Sequence, residues 1–135
     1  MFDYNKNVAE RDIILFGDYE ESKYWGGIRR FEDLSVEELE KLVERRFADP
    51  GDMQNYAPTI KLLLSFGKRH KLVTYGGYAV SLKRDDYRIS IDSIKLVTPD
   101  IRDASDFIRF CKSADELNSY YDGDGITATM SAWWD

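Results

Sequence analysis

The chain has 135 residues, 43% of them hydrophobic and 14% aromatic, with 25 Asp and Glu against 19 Lys and Arg for a net charge of −6. That is too apolar for a disordered chain and long enough to bury roughly two-thirds of the unfolded surface, so one α+β domain over residues 1–135 is expected. The acidic balance argues against a broad grip on phosphate backbones, and the lone Cys111 rules out an internal disulfide or a cysteine-based zinc site. No apolar run approaches membrane-spanning length, so a soluble, cytoplasmic protein is expected.

Residues 1–32 carry the weakest patterning. Asn7-Val8-Ala9-Glu10 has the form of a capping box, and Ala9, Ile13 and Phe16 then fall on one helical face, with Gly17 as the stop. Tyr24-Trp25-Gly26-Gly27-Ile28 reads as a loop that either packs Trp25 on the core or presents an aromatic contact surface.

From Asp33 the signal sharpens. Ser35 and Glu38 form a Ser-x-x-Glu capping box, and Val36, Leu39, Leu42, Val43 and Phe47 share one face, predicting a helix from about Val36 to Phe47. Asp49-Pro50-Gly51 ends it. A second helix is expected to begin near Pro58, tolerated in a first turn, and to run through Ile60, Leu63 and Leu64 to Gly67. The basic cluster Lys68 to Lys71 then lies where cations favour a helix C-terminus.

Leu72 to Val97 reads as a β-hairpin broken at Lys83 to Asp86, with Tyr87, Ile89 and Ile91 on one face of the second arm. The apolar alternation changes phase to Ile94 and Leu96, predicting a bulge near Asp92-Ser93. Gly76-Gly77 marks another irregularity or a close approach by a neighbouring chain segment. After Thr98-Pro99-Asp100, a helix is expected with Ile101, Ala104, Phe107, Ile108 and Cys111 on its inner face. A second hairpin follows: Glu116 to Tyr121, a turn at Asp122-Gly123-Asp124-Gly125, and a strand placing Ile126, Ala128, Met130, Ala132 and Trp134 towards the core and Trp133 away from it. The whole is an N-terminal helical pair and two antiparallel hairpins joined by a helix, forming one sheet of about four strands.

Catalytic patterns are missing. His70 is the only histidine, Asp122 to Gly125 lacks the remaining ligands of a calcium loop, and neither glycine pair belongs to a nucleotide fingerprint. Nothing in the sequence points to a cofactor or a metal. The stretches Phe31 to Glu44, Asp49-Pro50, Asn55 to Thr59, Gly77 to Ser81, Arg84 to Ile91 and Trp133-Trp134-Asp135 together resemble small bacterial proteins with no assigned activity, a resemblance that implies no catalytic or binding residue.

The expectation is therefore a non-enzymatic interaction or accessory domain, binding a protein partner or a second copy of the chain through Tyr24, Trp25, Tyr120 and Trp133. Two alternatives stand beside it. One is an enzyme with a dispersed carboxylate and tyrosine site. The other is a nucleic-acid binder using Arg29-Arg30, Arg45-Arg46, Lys68-Arg69 and Lys83-Arg84, against which the acidic neighbours of every pair weigh.

Overall fold

The computed structural model, which describes residues 1–135, opens with a short helix, α1 (Val8–Phe16), capped by the Asn7 side chain and stopped by Gly17 in the left-handed region at φ 79°. Its buried face is not the expected one. Val8, Arg11, Asp12 and Leu15 point inward, whereas Ala9 and Ile13 are exposed and Phe16 is half-buried beneath the Arg29 guanidinium.

The next segment corrects the expected strand count. Ile28–Ser35 is a strand, β1, so the sheet has five strands. The reading of this region missed it because β1 carries Arg29, Arg30, Glu32 and Asp33, which break the apolar alternation. Its end doubles as the cap of α2 (Val36–Glu44): the Ser35 hydroxyl accepts from Glu38 N–H at 3.1 Å, and the Ser35 N–H donates to the Glu38 carboxylate at 3.0 Å. The helix stops short of Phe47. Arg46 turns the chain at φ 64°, which still returns the Phe47 side chain to the core.

Helix α3 (Ile60–Arg69) starts after Thr59, whose side chain caps it, so Pro58 lies just outside the first turn. It packs closely on β2 (Thr74–Val80). A Cβ on Gly67 would lie 2.0 Å from the Tyr75 hydroxyl, which donates to the Leu63 carbonyl at 2.7 Å. At the C-terminal end of α3, Lys68 pairs with Glu40 at 2.6 Å, and the His70 ring lies tilted against Phe66, between Asp103 and Asp106.

Strand β2 pairs antiparallel with β3 (Ile89–Thr98), and the ladder skips Asp92: Gly77 lies opposite Ile91 and Gly76 opposite Ser93. The expected bulge is there. It keeps Ile89, Ile91, Ile94 and Leu96 all buried, while Asp92 accepts both arms of Arg30 at 3.0 and 3.2 Å. Gly77 is required by the same approach, since a Cβ there would meet the Ser90 carbonyl at 2.0 Å.

Helix α4 (Ile101–Phe110) crosses to β4 (Glu116–Tyr121), which turns back into β5 (Ala128–Trp133). The strand order is β1-β2-β3-β5-β4, with every neighbouring pair antiparallel. The second strand of this hairpin thus lies inside and the first on the edge. Met130, Ala132 and Trp134 are buried as expected, Ala128 is half-buried, and Ile126, in the turn, is exposed. The inner face of α4 is likewise narrower than its sequence suggests: Phe107 and Cys111 are buried and Ala104 half-buried, whereas Ile101 and Ile108 face outward. No helix is long and apolar enough to cross a membrane.

Cys111 is fully enclosed, and burial pushes its thiol up to about 12. A thiol reagent at mildly alkaline pH should react slowly with the native protein and rapidly after denaturation. Cys111→Ser should cost about 1 to 3 kcal/mol in chemical denaturation, because a hydroxyl replaces sulfur among apolar neighbours.

Candidate interaction surface

The two edges of the sheet, β1 and β4, differ in how they meet solvent. On β1 the edge is interrupted: charged residues occupy four of its positions, the ladder shifts between Phe31 and Leu34, and Asp33 adopts φ 56°. Charge and irregularity of this kind keep a second strand from adding. β4 has neither device. All six residues, Glu116 to Tyr121, are exposed, Glu116 is the only charged one, and the ladder to β5 runs without a shift.

The phase of that ladder decides which groups are free. Asp122 N–H donates to Thr127 O at 2.8 Å, so the even-numbered residues Asn118 and Tyr120 turn their backbone groups towards β5. Leu117, Ser119 and Tyr121 therefore direct their N–H and C=O groups outward. Their side chains share the face of Met130 and Ala132, on the side where α4 lies.

Between α4 and the hairpin is an apolar groove of about 510 Å³, walled by Ile101, Ala104 and Ile108 on one side and Tyr121, Ile126 and Met130 on the other. Ile101 is 72%, Tyr121 66% and Ile126 65% exposed. These side chains were expected in the core, or went unnamed. Their signal in the sequence is Glu116 to Tyr121 itself, a strand without apolar alternation beside one that alternates strongly. The opposite face of the sheet holds a smaller, polar depression of about 260 Å³ that includes Arg30, Lys95, Asn118 and Trp133.

The four aromatic candidates fall in separate places. Tyr120 is exposed on β4, and Trp133 is partly exposed on β5 beside Glu116, both on the face away from α4. Trp25 is 90% exposed, but it precedes β1 at the far edge, four strand spacings or roughly 19 Å across the sheet. Tyr24 is engaged internally. Its hydroxyl donates to Asp12 and accepts from Arg11 at 2.8 Å, while Arg11 also reaches Asp12 at 2.9 Å and the Val80 carbonyl at 2.9 Å. Burial, then the hydrogen bond to Asp12, raises the Tyr24 hydroxyl above its ordinary range.

The basic pairs do not converge either. Arg29 meets Asp18, Arg30 meets Asp92, Arg45 meets Glu10 and Arg84 meets Asp86. A carboxylate and tyrosine cluster does exist, near the N-terminal part of β3. Ser90 links Asp52 to Arg88, Arg88 donates to the Tyr78 hydroxyl at 3.1 Å, and Tyr4 is pushed up to about 12 by burial, then by Asp52 and Asp49. Neither groove described above includes it, and no three His, Cys, Asp or Glu side chains converge as a metal site would require. No family model, curated protein or solved structure matches the chain.

Two substitutions probe these internal clusters. Tyr24→Phe removes the donor to a buried carboxylate and should cost about 1 to 3 kcal/mol in denaturant unfolding. Asp52 is held above the ordinary carboxylate range, chiefly by burial, so its ionised form is disfavoured in the folded state. In strong acid it is neutral whether folded or not, and its penalty appears as pH rises through the carboxylate range. Asp52→Asn should therefore raise the thermal midpoint at neutral pH and leave it unchanged in strong acid.

Proposed function

We propose that this protein is a non-enzymatic interaction domain that captures an extended segment of a partner protein along β4. The observation that supports this reading is the difference between the edges: β1 is charged and irregular, whereas β4 is regular, uncharged after Glu116 and exposed throughout. A partner strand would pair with the outward groups of Leu117, Ser119 and Tyr121 and place alternate side chains over the groove. Backbone pairing supplies affinity, and the groove supplies selectivity. Tyr120 belongs to this surface; Trp25 and Tyr24 do not.

Ser119→Pro is a clean test because the lost N–H points outward and is not used by β5, so the hairpin can persist while the edge is blocked. Peptides selected from a random display library on the native protein should enrich for alternating apolar residues. They should bind Trp25→Ala as well as the parent and lose binding to Ser119→Pro. Retained binding to Ser119→Pro, with an unchanged circular dichroism spectrum, would place the contact elsewhere.

A further inference from the structure

The charges around β4 specify the partner segment more closely, on the premise that the edge takes a strand at all. Glu116 and Asp122 bracket the strand on the same face, with Asn118 and Tyr120 between them, and Asp115 and Asp124 extend the negative charge at either end. None of the four has a Lys, Arg or His within ion-pair distance, although ion pairs are common elsewhere on this surface. Hydrogen bonds from Ile126 and Thr127 hold the Asp124 carboxyl below its usual range, so it stays ionised. The middle of the edge is neutral and its α4 side apolar.

From this pattern we infer that the occupant is a basic-ended strand: a segment with apolar residues at alternate positions facing the groove and a Lys or Arg at each end of the paired stretch, on the opposite face. A seven-residue segment satisfies both requirements at once. Its central residue lies opposite Ser119, its second and sixth opposite Leu117 and Tyr121, and its ends opposite Glu116 and Asp122.

The same pattern disfavours a second copy of the chain. Pairing two β4 strands about Ser119 is the register that satisfies all their outward groups, and it sets Glu116 of each copy opposite Asp122 of the other. Like charges opposed across strands are destabilising. The net charge of −6 adds long-range repulsion between copies and attraction for a basic segment.

The test uses fluorescein-labelled Lys-Val-Thr-Val-Thr-Val-Lys, which reads the same in either strand direction apart from backbone polarity, and its counterpart with Glu at both ends. Fluorescence anisotropy should show the Lys-ended peptide binding the full chain roughly tenfold more tightly at low salt, with the advantage shrinking at high salt. The double variant Glu116→Lys with Asp122→Lys should reverse the preference, and Ser119→Pro should bind neither peptide. Equal binding of both peptides by the native chain, abolished in Ser119→Pro, would overturn the charge assignment while leaving strand capture at β4 standing. Absence of binding by either peptide, or binding of the Lys-ended peptide that survives Ser119→Pro, would also overturn it. A dimer in sedimentation velocity that Ser119→Pro dissolves would overturn it in favour of a second copy.

Discussion

Burial of Met130, Ala132 and Trp134 decides how the second half of this protein is assembled. Their alternation needs a covered face, and β5 obtains one only by pairing with β3 under α4. Trp134 then donates its indole N–H to Ser113 at 3.1 Å and its backbone N–H to the Asp92 carbonyl at 2.9 Å, fastening the end of β5 to the bulge in β3. The first strand of the hairpin is displaced outward. An exposed edge and an incompletely filled groove beside α4 are what remain once β5 occupies the inner position.

The first half is tied together differently. Arg11 and Asp12 are fully enclosed, and their polar atoms are satisfied by one another, by Tyr24 and by the Val80 carbonyl, with the Arg11 guanidinium 4.6 Å from the centre of the Tyr87 ring. A pair buried this deeply adds little net stability, because desolvation offsets the attraction. Its effect is orientation. The planar guanidinium has partners in α1, in the loop before β1 and at the end of β2, so these three elements meet in one arrangement.

What the sequence made legible was local. The α2 cap, the turn at Asp122 to Gly125, the Asp92 bulge and the burial of Cys111 all depend on residues a few positions apart, and each was readable from spacing alone. Non-local choices were not. β1 was hidden by charges that suit an edge, and the inward face of α1 was misassigned because Arg11 and Asp12 are types normally found outside. Ile101, Ile108 and Ile126 looked like core residues because periodicity reports which face is apolar and not whether anything covers it. Strand order, which leaves that apolar face uncovered, follows from competition between β4 and β5 for one position beside β3. That comparison spans the chain and has no short-range signature.

The Asp92 bulge also sets the phase of everything that follows it in the sheet. Before it, β3 pairs with β2 alone; after it, β3 carries β5 and, through β5, the edge. Deleting Asp92 would bring Ile91 and Ile94 two positions apart and restore a regular ladder with Ile94 and Leu96 still inward, whereas running every residue through a regular ladder would turn Ile94 and Leu96 to the polar side and Lys95 and Val97 inward. A substitution at Asp92 would affect one ion pair, whereas closing the bulge with every residue retained would invert the seating of α4, β5 and β4 together. Outside the bulge, a change in chain length is best absorbed in the turn at Asp122 to Thr127, beyond which only one strand remains to be placed.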